Sequence, residues 1–221
     1  MVLRNPAISM DLATKELVRM AEMARQMMSK ARSAFVTSNM EDAKIVHEIE
    51  DVIDVLQTEI IKYLSTMLSR STLTERQSVR LAGLMHVTND IERIGDHCKN
   101  IAEFAEWKRD ENIPFSQEAL QEITDAFEQL NNMVDDSIHA LRDQDVELAK
   151  RVLSEEYEMD DLEDNLRDRH LKRLNSGLCN PQAGVIFIEL IHNLERIADH
   201  CNNIAEAVLA DHKINPEEYE N

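Results

Sequence analysis

The sequence predicts an all-α protein formed by tandem duplication of a three-helix bundle, with six long antiparallel helices. The chain of 221 residues contains only four glycines and four prolines, so few positions interrupt a helix. Apolar residues recur at helical spacing, as at Ile45, Ile49, Val52 and Leu56. The third observation is an internal repeat, in which the second half of the chain repeats the pattern of the first.

Capping residues predict where several helices begin. Asn5-Pro6 and Asn180-Pro181 each place a capping side chain before a proline at the first helical position, where the missing N–H costs nothing. Ser38-x-x-Glu41 and Thr74-x-x-Gln77 have the spacing of capping boxes. These signals predict the starts of the first, sixth, second and third helices.

Further boundaries follow from Ser116 and Asp145, which precede the fourth and fifth helices, and from Gly177, which can close the fifth. The predicted helices span residues 6–37, 39–69, 75–110, 116–143, 145–175 and 181–211. Because the connections are short, consecutive helices are expected to run antiparallel.

The repeat is clearest in the third helix of each half. NDIERIGDHCKNIAE at residues 89–103 matches NLERIADHCNNIAE at residues 193–206, with the shared Glu-Arg-Ile displaced by 103 residues. The second helices match at a displacement of 106 residues, so that Glu50 and Asp54 reappear as Glu156 and Asp160. We therefore predict two units, at residues 1–112 and 113–221.

Composition narrows the functional class. Asp plus Glu number 43 against 24 Lys plus Arg, a formal charge of −19, which disfavours nucleic acid and suits cation binding or solubility. The three cysteines form no disulfide framework, which indicates a reducing compartment. Neither a signal peptide nor a membrane span is predicted, because the longest apolar run is interrupted at Glu189. We expect a cytoplasmic protein, or one held peripherally at the inner face of the plasma membrane.

Paired carboxylates are the main candidates for function. Glu92 and Asp96 share a stripe opposite the apolar stripe of the third helix, and Glu50 and Asp54 form the same i, i+4 pair on the second helix. The second unit repeats both pairs as Glu156/Asp160 and Glu195/Asp199. Like charges at this spacing repel, and a multivalent cation that prefers oxygen ligands, such as iron, manganese or magnesium, would relieve the repulsion. The alternative is a solvated acidic face on a metal-free helical adaptor.

Histidines near these pairs are secondary candidates. His47 and His192 lie three residues before Glu50 and Glu195, on the same helical face, and could add imidazole ligands. His97 and His200 are turned about 100° from the preceding aspartates and are expected to pack at the flank of the bundle.

A catalytic role is not indicated by the sequence. It contains no nucleophile–base constellation, glycine-rich phosphate loop or H-E-x-x-H motif, so a non-enzyme is expected. A weaker alternative is a di-metal enzyme that uses Glu189, His192 and Glu195.

The duplicated E-R-I-[GA]-D-H-x-x-N-I-A-E helices, each preceded by an E-x-x-x-D helix, resemble the PhoU family of phosphate-uptake regulators over essentially the whole chain. The resemblance implies paired three-helix bundles with multinuclear metal clusters at their surface, iron first, with zinc, manganese or nickel as alternatives. Carried over to this sequence, the implied ligands are Glu50, Asp54, Glu92, Asp96, Glu156, Asp160, Glu195 and Asp199.

The resemblance also implies partners: a membrane phosphate transporter, of the sodium/phosphate cotransporter or ABC type, or a phosphate sensor kinase, with a homodimer as one assembly. No nucleic-acid partner is expected. The opening NPAISMDLATKELVRMAEMA is similar to the segment that joins sodium/phosphate cotransporters to a PhoU-like domain. STLTERQSVRL and CNPQAGVIF stand where free-standing members carry Q-P-x-A-x-D-L-R, which puts the ABC transporter and sensor kinase in doubt. The implied function is metal-dependent regulation of phosphate transport.

Overall fold

A computed structural model of the chain describes residues 5–70 and 72–214. Within these residues the chain forms six helices joined by short connections. They are α1 Pro6–Thr37, α2 Met40–Arg70, α3 Glu75–Asp110, α4 Gln117–Asp143, α5 Val146–Asn175 and α6 Pro181–Ile214. The predicted all-α class is confirmed, and the predicted boundaries agree to within one residue except that α6 continues three residues further, to Ile214.

Capping explains why most boundaries were predictable. Thr74 forms the complete predicted capping box with Gln77, in which each side chain bonds the backbone N–H of the other residue. Ser116 and Asp145 cap α4 and α5, and the side chain of Asn180 accepts hydrogen bonds from the first turn of α6. These polar groups satisfy backbone donors that helix geometry leaves unpaired.

The predicted capping box at Ser38 is wrong. Ser38 ends α1 in the left-handed region, with φ 58°, and so turns the chain instead of starting the next helix. Asn39 takes the position before α2, where its carbonyl accepts from the Asp42 N–H at 3.1 Å. Its side-chain Nδ2 also donates to Asp42 Oδ2 at 2.9 Å. The connection is too short for Ser38 to serve both helix ends.

The helices form two three-helix bundles: α1–α3, called here the first unit, and α4–α6, the second unit. Each helix packs on both other helices of its unit. Contacts such as Lys99 with Glu50 and His47 with Glu106 show that α2 and α3 run antiparallel, because the α3 residue number rises as the α2 number falls. The tandem architecture predicted from the repeat is therefore present.

The two units pack together through α3 on α6 and α1 on α4. At the centre, His97 Nδ1 lies 2.9 Å from Asn193 Oδ1, and His200 Nδ1 lies 2.9 Å from Asp90 Oδ1. The two imidazole rings stack with centroids 5.6 Å apart. Since the repeat displacement of 103 relates His97 to His200 and Asp90 to Asn193, the exchange is reciprocal, as at a two-fold interface.

This interface fixes the role of the two histidines. Both Nδ1 atoms face oxygen acceptors across the unit boundary, away from the neighbouring Asp96 and Asp199. Burial lowers the pKa of His97, which keeps its ring neutral as a hydrogen-bond donor to Asn193. The expectation that these rings pack against the bundle is confirmed.

A membrane-spanning helix is absent from the described residues, since none of their helices is both long enough and apolar enough to cross a bilayer.

One difference between the repeats predicts a stabilising substitution. Gly95 in α3 is buried, and a Cβ there would meet Ile53 at 3.6 Å and Met27 Sδ at 3.7 Å, which is ordinary van der Waals contact. The equivalent position in α6 is Ala198. Because alanine favours the helix over glycine, we expect Gly95→Ala to raise the free energy of unfolding by about 0.5–1 kcal/mol, measured by urea denaturation.

The reverse change in the other unit is the matched control. Ala198→Gly should lower the free energy of unfolding by about 1 kcal/mol or more, through propensity and loss of a buried methyl group. A destabilised Gly95→Ala variant would show that Ile53 and Met27 cannot accept the added methyl group.

Candidate metal centres

Three carboxylates of the first unit meet between α2 and α3. Glu50 and Asp54 project from α2 and Asp96 from α3, and one oxygen of each lies within 4.8 Å of the other two. Glu50 is buried, Asp96 is half-buried and Asp54 is exposed, so the group opens to solvent at one side. We call these residues the first carboxylate cluster.

The carboxylates of this cluster repel one another. Burial raises the pKa of Asp54, and the negative charges of Glu50 and Asp96 raise it further. The pKa of nearby Glu92 is also raised, chiefly by burial and then by Asp96. Both shifts mean that the folded protein disfavours full ionisation of the cluster in the absence of a cation.

Lysine 99 supplies one positive charge to this cluster. Lys99 Nζ donates to Glu50 Oε1 at 2.7 Å, and this hydrogen bond raises the pKa of the ammonium group. The side chain of Glu50 is only 6% exposed and that of Lys99 is 35% exposed, so the carboxylate is shielded from water while the lysine is partly open to it. The first cluster therefore contains a cation of its own, at the most buried of its three ligands.

The second unit forms the equivalent cluster from Glu156, Asp160 and Asp199, again with ligand oxygens within 4.8 Å of one another. We call it the second carboxylate cluster. Burial raises the pKa values of Glu156 and Asp160, followed by repulsion from Asp160 and Asp199 respectively. Asn202 occupies the position equivalent to Lys99. The second cluster therefore lacks the lysine that neutralises the first.

Arginines border both clusters in the same way. Arg93 Nη1 donates to Asp96 Oδ2 at 3.1 Å, and Arg196 Nη1 donates to Asp199 Oδ2 at 2.9 Å. Each pair spans three residues of one helix and is largely exposed, so it orients the aspartate with little effect on stability.

Glu195 lies in a different group from Asp199. Its ligand atom is within 4.8 Å of those of Glu163 and His192. This group lies one helical turn from the second carboxylate cluster, along the line of contact between α5 and α6, called here the α5–α6 seam. Glu163 was missed by the sequence analysis because its counterpart in the first unit is Gln57, so matching the two units removed it from consideration. Its spacing of seven residues from Glu156 on one helical face was the available signal.

The remaining predicted ligands lie outside these groups. Among the described residues, neither Glu92 nor His47 belongs to a set of three ligand atoms this close together. His47 Nε2 instead lies 3.5 Å from Glu106 Oε2. Glu189, named in the enzyme alternative, is exposed, and it is Glu163 that approaches His192. The assignments of Glu92 and His47 as ligands stay predictions.

Comparison with known families matches the PhoU domain twice, at residues 17–105 and 123–208. The chain belongs to the PhoU family. Among similar proteins, the Phosphate-specific transport system accessory protein PhoU homolog 1 of Thermotoga maritima is 29% identical over 200 residues, covering 90% of this chain and 85% of that protein. A PhoU homolog of Synechocystis is 27% identical over 199 residues, covering 88% and 85%.

Solved PhoU structures share the fold. PhoU from Pseudomonas aeruginosa superposes with a TM-score of 0.88 at 22% identity, covering 96% of this chain and all of the other, 100%. The regulatory protein PhoU from Streptococcus pneumoniae has a TM-score of 0.83 at 17% identity, covering 96% and 98%. The paired bundles are therefore a PhoU fold, whose sequence has diverged widely.

The carboxyl of Glu195 gives a pH-dependent prediction. Burial, and then Asp199, raises its pKa from 4.5 to about 7, so the folded metal-free protein favours the protonated form. The folded state's preference for the protonated carboxyl stabilises the fold fully below about pH 4.5, and this stabilisation is lost as the pH rises through 7. We expect the neutral variant Glu195→Gln to be more stable than the parent by about 1–2 kcal/mol at pH 8, with little difference at pH 4.5.

Urea denaturation in the presence of a chelator at the two pH values measures this difference. Glu48→Gln is the control, because Glu48 is exposed and its substitution should change the unfolding free energy equally at both pH values. An equal effect of Glu195→Gln at both pH values would contradict the shifted pKa.

Proposed function

We propose that this member of the PhoU family is a metal-binding regulatory accessory protein of phosphate transport that docks to a membrane phosphate transporter or its signalling partner. The observation that carries the metal-binding role is the occurrence of the same three-carboxylate cluster at equivalent positions of both units. The link to phosphate transport rests on family membership and on similar proteins that are named as accessory proteins of a phosphate-specific transport system.

The donor set suits a hard or borderline cation. Each cluster offers three carboxylate oxygens from two adjacent helices, and the pKa values of Asp54, Glu156 and Asp160 are raised by burial and mutual repulsion. A metal of the iron or manganese class would remove that repulsion. Iron is the first choice. Glu92 and Glu195, with raised pKa values nearby, would extend each site toward a multinuclear cluster.

The effect of the metal would be mechanical. It would cross-link α2 to α3 in the first unit and α5 to α6 in the second, and so stabilise the shape of the surface formed by each helix pair. Docking to a transporter would then depend on whether the clusters are occupied. A transporter or its sensor kinase would recognise this surface, which gives phosphate uptake a metal-dependent regulator.

One observation favours the alternative, a metal-free helical adaptor. Lys99 already neutralises Glu50 through a 2.7 Å hydrogen bond, so the first cluster can exist without a metal ion. The second cluster has Asn202 at the equivalent position, where no lysine can pair with Glu156. The alternative therefore applies more readily to the first unit than to the second.

The decisive test compares two variants of equal charge change. The four-aspartate variant, D54N/D96N/D160N/D199N, removes ligands from both clusters with little change of shape. The surface control variant, E41Q/E48Q/E59Q/E147Q, removes the same number of negative charges at exposed positions. Iron, zinc and manganese are then measured by elemental analysis after reconstitution, together with binding to the phosphate transporter of the source organism in nanodiscs.

We expect the parent and the surface control to retain metal near stoichiometry and to bind the transporter, and the four-aspartate variant to lose most of both. If none of the three proteins retains metal, the metal-free adaptor is the correct description. If metal is lost but transporter binding is unchanged, the clusters do not control docking.

The charge of Lys99 gives a separate prediction. A metal ion at Glu50 has to displace the ammonium group, so Lys99→Asn should strengthen metal binding at the first cluster about tenfold, or about 1.4 kcal/mol. The measurement is calorimetric titration with Mn²⁺ in a D160N/D199N background, which disables the second carboxylate cluster. Unchanged or weaker binding would show that Lys99 does not compete.

The opposite substitution tests the second unit. Asn202→Lys, in a D54N/D96N background, places an ammonium group at the equivalent position and should weaken Mn²⁺ binding at the second cluster by a similar factor, about tenfold. If the two substitutions change affinity in opposite directions, the difference between the units lies at this one position.

A further inference from the structure

A second group of ligands lies beside the second carboxylate cluster. His192 Nδ1, on α6, is 3.5 Å from Glu163 Oε1 on α5 and 3.4 Å from Glu195 Oε2 on α6. One ligand atom of each residue lies within 4.8 Å of the others. We call these three residues the histidine triad. Its donors are one imidazole nitrogen and two carboxylate oxygens from two helices.

The carboxylates of the histidine triad are largely but not fully buried, and one of their oxygens accepts no hydrogen bond. The side chains of Glu163 and Glu195 are only 12% and 13% exposed. Glu195 Oε2 is buried and makes no hydrogen bond, although the imidazole and Arg196 lie within 3.6 Å. Such an acceptor is costly to bury without a partner. Arg167 Nη2 donates to Glu163 Oε1 at 2.5 Å, so a metal ion at the oxygen that faces His192 would have to share it with Arg167 or displace this arginine. His192 is 42% exposed, which leaves a path from solvent.

The first unit shows that the seam does not need these residues for packing. Gln57 and Asn89 occupy the positions of Glu163 and His192, and Gln57 Nε2 donates to Asn89 Oδ1 at 3.1 Å. This neutral amide pair closes the seam without a titratable group. In the second unit the corresponding positions are Glu163 and His192, which form a ligand set with Glu195, the counterpart of Glu92 in the first unit.

We propose that Glu163, His192 and Glu195 form a metal site particular to the second unit, beside the second carboxylate cluster and with Glu195 as the residue that the two could share, for a borderline divalent ion of the Zn²⁺ class. An imidazole ligand favours zinc, iron or nickel over magnesium, calcium or manganese. The metal would supply the missing partner of Glu195 Oε2, and water would complete its coordination. The inference deepens the metal-binding role proposed above, but it depends on Glu163 and His192, which lie outside both carboxylate clusters.

Its consequence is an unequal pair of units. The first unit has a cluster with its own lysine and an amide pair beside it, whereas the second has a cluster without lysine and the histidine triad beside it. The second unit should therefore bind Zn²⁺ in preference to Mn²⁺, and fill before the first. The two halves of the duplication would respond to different metal concentrations.

The test uses the four-aspartate variant, in which both carboxylate clusters are disabled, and Zn²⁺ as the probe. We expect this variant to bind one Zn²⁺ per chain by equilibrium dialysis. Adding E163Q/H192N, which gives the second unit the amide pair of the first, should weaken that binding at least tenfold. Adding Q57E/N89H to this six-substitution protein builds the triad in the first unit and should restore one Zn²⁺. Circular dichroism verifies folding of each variant.

Co²⁺ gives an independent readout. In the four-aspartate variant it should produce visible absorption bands that disappear with E163Q/H192N, and ¹⁵N NMR should show Zn²⁺ shifting the Nδ1 resonance of His192. Unchanged Zn²⁺ binding after E163Q/H192N would overturn the site. So would a four-aspartate variant that binds no Zn²⁺ while the parent does, although the carboxylate clusters would then stand. If the four-aspartate variant keeps all the metal of the parent, the result supports the histidine triad as the metal site and contradicts metal binding by the carboxylate clusters.

Discussion

Burial of the apolar face of α3 and α6 is the constraint on which the rest of the molecule depends. Ile94, Cys98 and Ile101 in α3, and their counterparts in α6, are fully or almost fully buried. Because an α-helix turns 100° per residue, this burial carries Asp96 and Asp199 into the seams with α2 and α5, where other carboxylates are already present. The fold thus brings like charges together at both seams, and their repulsion has to be relieved by protonation or by a cation.

The two units meet this requirement in different ways. In the first, Lys99 reaches across the seam to Glu50, and neutral amides occupy the next turn. In the second, asparagine replaces this lysine, and the next turn has a glutamate and a histidine in place of the two amides. The reciprocal contacts of His97 and His200 keep the units in a nearly symmetric arrangement. The outer seams therefore differ in charge between the two units, although the helices are arranged in the same way.

Local signals made the fold predictable, whereas the sites depend on distances between helices. Capping at Thr74 and Asn180-Pro181 defines helix ends from neighbouring residues alone, and the one wrong cap, Ser38, lies where two helix ends compete for a single short connection. The carboxylate pairs were visible at i, i+4 spacing. The sequence did not show how these carboxylates group in space. Glu195 lies with Glu163 and not with Asp199, because the distances between the two helices determine which ligand atoms are close. Helical spacing likewise does not show that Lys99 on α3 bonds Glu50 on α2.

We propose that the two seams bind metal, and anomalous diffraction can locate such a metal in the protein. Data would be collected on both sides of the metal absorption edge from crystals of the parent protein grown with Zn²⁺ or Fe²⁺. We expect anomalous peaks between α2 and α3 and between α5 and α6, beside Asp54 and Asp160, with the higher occupancy in the second unit. Crystals that show no peak at either seam, with Lys99 and ordered water as the only partners of the carboxylates, would contradict this proposal.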